Sequence, residues 1–186
     1  MVFFIYLLYN EYKISKGGYI LKKEIYLAGG CFWGVQAYFD NVKGVLSTEV
    51  GYANGRVKNP TYEMVCKQDT GFAETIHIVY DADIVTLEHI LALYYDVIDP
   101  TSYHRQGNDI GEQYRTGIYY IDEEDYTIID ASLHELAKEY EEPIVVEYEK
   151  LINFYSAEEY HQKYLVKNPN GYCHISKQKI ESVKNK

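Results

Sequence analysis

Cysteine is scarce in this chain, with three among 186 residues. So few thiols, in odd number, cannot build the dense disulfide framework of a small secreted domain. They suit a reducing compartment, read here as the cytoplasm, and a catalytic or redox role. No Cys-x-x-Cys pair occurs, and Cys173-His174 lacks partners at ligand spacing, which argues against a metal site. Basic residues are also short, 18 against 28 acidic ones, for a formal net charge of −10. Binding to nucleic acid needs clustered Lys and Arg to meet phosphate, so no nucleic-acid partner is expected. The N-terminal apolar run, Val2 to Tyr9, is too short for a spanning helix, which needs about 20 residues. It also lacks the flanks of a signal peptide. No stable membrane association is expected. Residues 1–18 read as a mobile extension or the product of an upstream start codon, with a weak membrane anchor as the alternative.

What the chain does have is an ordinary apolar content, 47%, and enough length for one domain with its own core. Residues 19–176 read as that single catalytic domain and 177–186 as a polar tail. Short β-prone runs at 24–28, 45–52, 74–81, 117–121 and 144–151 predict five strands. Helices are predicted after Cys31, after Thr86 as N-cap, and from Asp122 to about Tyr140, with Pro143 beyond. Ser156 and Glu159, spaced as a capping box, predict a short helix through Leu165. The polar stretches 53–69 and 101–113 read as loops of the kind that carry function. Strands interleaved with helices predict an α+β chain, one mixed sheet covered by helices.

The stretch Gly29-Gly30-Cys31-Phe32-Trp33-Gly34 carries the most chemistry. An apolar run ends at two glycines, and Cys31, Val35 and Tyr38 then recur at helical spacing, so Cys31 falls where a strand hands over to a helix. The unpaired N–H groups and the dipole of a helix start favour thiolate there. Phe32 and Trp33 offer an apolar pocket beside the sulfur; the bland alternative is a buried thiol among core aromatics. Glu74, after Thr70-Gly71-Phe72-Ala73, is a carboxyl in apolar company whose pKa burial would raise. Taken alone it reads as a surface carboxylate at a strand end. Tyr62 and Tyr114 carry phenolic donors, although among 22 tyrosines core packing is the simpler reading of either. Asp109 can accept hydrogen bonds from a substrate backbone or a tyrosine, or be a turn aspartate.

Gly30 to Gly34 resembles the signature of the A-class peptide methionine sulfoxide reductases. Further blocks resemble that family's in the same order: Asn59-Pro60-Thr61-Tyr62, Val65-Cys66, Thr70 to Glu74, Gln106-Gly107-Asn108-Asp109, Gln113-Tyr114-Arg115, and Asn168-Pro169-Asn170-Gly171-Tyr172-Cys173. The resemblance runs from about Lys23 to Ile175. It implies a two-layer α/β sandwich of ferredoxin-like character with an irregular C-terminal segment. It also implies reduction of the S epimer of methionine sulfoxide, free or protein-bound, as repair of oxidised proteins. Cys31 is then the nucleophile, and Phe32, Trp33, Tyr62, Glu74, Asp109 and Tyr114 form the substrate site. Attack leaves Cys31 as sulfenic acid. Cys173, in a Gly-containing segment free to swing in, is the candidate for closing a disulfide, and the resemblance supports this. Thioredoxin is the implied external reductant; no bound cofactor and a monomer are expected.

Cys66 is taken as buried and structural. Two departures from the family stand out: Phe72 where many relatives have His, and a Lys-rich tail with no further cysteine. A Cys31–Cys173 disulfide would therefore have to meet its reductant directly. Two rivals stay open. One is a Cys–His hydrolase or acyltransferase using His104 or His161; the other is a non-catalytic module that recognises oxidised methionine.

Overall fold

The computed structural model describes residues 12–15, 18–67 and 69–185; the apolar run at 2–9, and the readings attached to it, lie outside them. The sheet grows from runs with one apolar parity. Strand β1 (Tyr12–Ser15) pairs with the start of β2 (Gly18–Gly29), Ser15 opposite Gly18, where the N-terminal extension was expected to end. In β2, Ile25 and Leu27 are fully buried on one face. Helix α1 (Phe32–Phe39) follows, then β3 (Val45–Ala53), α2 (Tyr62–Lys67) and β4 (Ala73–Asp81). Helix α3 (Leu87–Tyr95) leads to the two-residue strands β5 (Arg105–Gln106) and β6 (Asp109–Ile110), and then to β7 (Thr116–Tyr120). Helix α4 (Glu123–Leu136), β8 (Glu147–Lys150) and β9 (Phe154–Ser156) complete the frame.

The main sheet runs β8-β7-β2-β4-β3-β9, antiparallel except for the parallel pair β7–β8. Register sets Leu27 opposite both Ile76 and Ile118, so three strands aim apolar side chains at one face. Val35, Tyr38 and Phe39 of α1, Ile90, Leu91 and Tyr94 of α3, and Ile129 and Leu133 of α4 pack on that face. Thr86 caps α3 by accepting from the His89 N–H, and Asp122 caps α4 by accepting from that of Glu124. The mixed sheet with a helical layer is the α+β sandwich that was expected. Among the described residues no helix is long and apolar enough to cross a membrane.

Three expectations change. No helix starts at Ser156. That residue ends β9, opposite Gly51 of β3, and its hydroxyl donates to the Ala157 carbonyl instead of capping. Gly51 makes the pairing possible, since a Cβ there would fall 2.4 Å from the Tyr155 carbonyl oxygen. The helix shrinks to α5 (Tyr164–Lys167). The loop at 53–69 contains α2. The polar tail forms α6 (Lys177–Ser182), capped by Ser176, and Val183 just beyond it is 2% exposed within the main core.

Candidate active site

Strand β2 ends at Gly29, and Gly30 turns the chain with φ 77°, a left-handed conformation that suits glycine. Cys31 then becomes the N-cap of α1, as its spacing predicted. The Phe32 N–H donates to Glu74 Oε2 at 3.1 Å, and the Trp33 N–H, without closing a cap hydrogen bond to the Cys31 sulfur, acts to favour its thiolate. The helix start nevertheless does not hold Cys31 as thiolate in this structure. Burial pushes its pKa well above the ordinary value, the Glu74 charge adds to the rise, and the Trp33 N–H offsets only part of it.

Glu74 lies on β4 opposite Tyr52, on the helix-facing parity shared by Ile76 and Ile78. It is 1% exposed. Burial raises its pKa to about 8 against the opposing Phe32 N–H, with Asp109 adding to the rise. Near neutral pH it is therefore mostly protonated. Its Oε1 has no hydrogen-bond partner among the described residues.

Tyr62 opens α2 and Tyr114 closes the 3-10 turn Glu112–Tyr114. Both phenols are half-buried, and burial followed by the Glu74 charge raises both pKa values, so they are hydrogen-bond donors at neutral pH. Phe32 is buried and Trp33 half-buried. The indole N–H of Trp33 donates to His161 Nδ1 at 3.0 Å, and its ring stacks on Tyr164 at 3.7 Å. The His161 ring also faces Phe32 and Tyr62, at 5.2 and 4.5 Å between centroids. His161 thus builds the aromatic wall, and His104 stacks on Tyr103 instead.

Glu158 ties this wall down, accepting from the Tyr62 N–H and the Tyr52 hydroxyl, each at 2.8 Å. Glu158, Tyr164 and the wall role of His161 went unseen in the sequence. The spacing of Ser156 and Glu159 pointed to a helix start, and nothing local marks their partners. Phe72, the departure from the family pattern, is buried edge-to-face on Tyr155 at 5.7 Å.

The remaining cysteines differ from expectation. Cys66 is half-buried, and its thiol shares a hydrogen bond with the Tyr62 hydroxyl one turn away, so it borders the site. Cys173 is not in a loose segment. Its Sγ sits over Gly34, one turn from Cys31, 2.8 Å from where a Cβ of Gly34 would be. Ile175 is buried just beyond it. Asp109, on β6, accepts from the Tyr172 hydroxyl at 3.1 Å. All three cysteines are free thiols. Among the described residues no group of three or more His, Cys, Asp or Glu is placed to hold a metal ion.

The chain is similar to known proteins over nearly its whole length. Residues 23–186 fit the family model described as peptide methionine sulfoxide reductase. The chain is 61% identical over 165 residues to the peptide methionine sulfoxide reductase MsrA of Lachnoclostridium phytofermentans, covering 89% of this chain and 99% of that one. Its fold is similar to Mxr1 of Saccharomyces cerevisiae in reduced form, with TM-score 0.79 and 35% identity over 87% of this chain and 92% of that one. A structure of Mxr1 in complex with Trx2 aligns at TM-score 0.56 and 26% identity, over 77% and 84% of the two chains. With the family model matched over residues 23–186 and relatives this similar over nearly their whole length, this chain belongs to the peptide methionine sulfoxide reductase family.

Proposed function

We propose that this protein reduces the S epimer of methionine sulfoxide, free or in peptides and proteins, with Cys31 as nucleophile and Glu74 as acid. The observation that carries the reading is Glu74, a buried carboxyl still protonated near neutral pH, with one oxygen unpartnered, in the electrostatic reach of Cys31. The sulfoxide oxygen accepts from Glu74 and from the Tyr62 and Tyr114 phenols, and the methyl group lies against Phe32 and Trp33. Asp109 meets the substrate backbone. As Glu74 gives its proton to the oxygen, Cys31 loses its own and attacks sulfur. The Cys31 proton replaces the one Glu74 gave, so the buried pair has gained no charge when methionine leaves. The hydroxyl then passes from the methionine sulfur to the Cys31 sulfur as the S–S bond between them breaks with its electron pair on methionine, so methionine leaves as the thioether and Cys31 is left as sulfenic acid.

Cys173 then closes a disulfide with Cys31. Its sulfur lines a cavity of about 390 Å3 bounded by α1, α5 and α6, which offers an outside thiol an approach. The yeast relative's complex with Trx2 supports thioredoxin as that reductant. The same reading has the enzyme act as a monomer with no bound cofactor. Three free thiols suit the cytoplasm.

The test is one equivalent of sulfoxide, in each hand, mixed with enzyme lacking reductant. The S epimer should release one methionine per chain and consume two thiols, recovered as a linked Cys31–Cys173 peptide. The R epimer should release none. Equal rates on both hands sink the epimer assignment, and a Cys31–Cys66 peptide sinks that of Cys173. Binding without methionine release would mark a recognition module, and a stable thioester with acyl substrates a hydrolase.

A further inference from the structure

His174 is a buried side chain that neither the core nor the sulfoxide step accounts for. Its side chain is 8% exposed, neither ring nitrogen has a partner at full hydrogen-bond geometry among the described residues, and the polar groups that act on it are the Asp109 carboxylate and, by a looser hydrogen bond, the Gly29 backbone. A buried polar group left in this way is costly and calls for a reason. The ring is wedged between two glycine turns. A Cβ on Gly30 would stand 3.4 Å from its Cε1, and one on Gly107 would stand 3.8 Å from its Cβ. It therefore packs against the peptide leading into Cys31 while being the chain neighbour of Cys173. Its Nδ1 lies 3.8 Å from Asp109 Oδ2, the same oxygen that accepts from Tyr172. One carboxylate on the β5–β6 hairpin thus meets the residues on both sides of Cys173.

We propose that Asp109, Tyr172 and His174 form a clamp that positions Cys173 for bonding to Cys31, with His174 as its buried jaw. The clamp rests on the roles proposed above for the two cysteines. In the step it serves, the Cys173 sulfur attacks the sulfenic sulfur of Cys31. An S–S bond forms and the S–O bond breaks. The thiol proton leaves with the hydroxide as water, and the electron pair that oxidises Cys173 reduces Cys31. Such a bond needs Cα atoms within about 7 Å, and a displacement of about 1 Å can slow an oriented reaction roughly 100-fold. His174 is thus a positioning residue for recycling, and it leaves the sulfoxide step to Cys31 and Glu74.

The experiment is rapid quench of the full chain with one equivalent of methionine S-sulfoxide and no reductant, reading methionine released and free thiols lost. Wild type is compared with His174→Leu, His174→Asn and Tyr172→Phe. The asparagine amide nitrogen falls near the place of Nδ1 and can still face Asp109. Methionine release should be unchanged in all four, which also shows that each variant is folded. Loss of the second thiol, that of Cys173, should slow about tenfold or more in His174→Leu, recover largely in His174→Asn, and slow less in Tyr172→Phe. Loss of the second thiol at the wild-type rate in His174→Leu overturns the clamp. So does equal slowing by Leu and Asn, or a fall in methionine release in step with thiol loss. If wild type itself releases no methionine, the function proposed for the site falls and the clamp with it.

Discussion

Replacing Glu74 by glutamine separates what the carboxyl does for the reaction from what it costs the fold. Its folded pKa of about 8 lies above the ordinary 4.5, so the folded chain holds this proton more tightly than the unfolded one. Below about pH 4.5 both states are protonated and the group is neutral in its effect. Above that the unfolded chain ionises first, and stability falls as pH rises toward 8, by on the order of 3 kcal/mol at pH 7. Glutamine cannot ionise, and its oxygen can still accept from the Phe32 N–H. Glu74→Gln should therefore melt higher than wild type at neutral pH and alike near pH 4, as read by thermal unfolding. The same variant should slow single-turnover methionine release by roughly 10²–10⁴-fold. In wild type that rate should fall as pH rises through about 8, as the acid is lost. An unchanged rate in the variant would remove Glu74 from the chemistry. The place of Cys31 at a helix start was legible because its signals are local, two glycines and a helical period, whereas Glu74 taken alone read as a surface carboxylate and was singled out by the resemblance of its block. Glu158 was not, because its meaning lies in Tyr62, 96 residues away in the chain.

Elements were legible where their pattern was long. Strands β3, β4 and β7 and helices α3 and α4 stand within a few residues of their predicted places, while β2 begins six residues before its predicted start, where β1 pairs with it. Short elements that exist through tertiary contacts were not. Strand β9 is three residues held by the edge of β3, and α6 has little apolar pattern beyond Ile180 and Val183. That pair makes α6 an anchor for the Cys173 segment. Removing residues 177–186 should cost roughly 2–4 kcal/mol from lost apolar burial, lowering the melting temperature by about 5–15 °C. Far-UV circular dichroism on heating, with Lys177→Ala as an exposed control, measures it. A truncated chain that melts with the full one would show that Val183 holds nothing in place.

Across the whole molecule, Cys31 and Cys173 lie 142 residues apart in sequence, and Cys173 packs over Gly34 of α1, one turn on from Cys31. The core between them folds with both thiols free. A bond joining them would chiefly restrain the unfolded chain, by on the order of 5 kcal/mol for so long a loop. Protein oxidised by one equivalent of substrate should melt above the reduced form by roughly 10–20 °C, and Cys173→Ser should show no such rise. Ile175 and Val183 tether the chain just past Cys173, so any distortion needed to close the bond is stored rather than relaxed. A shortfall from the full rise measures that stored strain, which makes the bond easier for a dithiol to open. On the proposed cycle the catalyst hardens and softens once in every turnover. Starved of reductant it accumulates in the toughened form, so its resistance to heat and proteases becomes a record of how well its electron supply keeps pace with the damage it repairs.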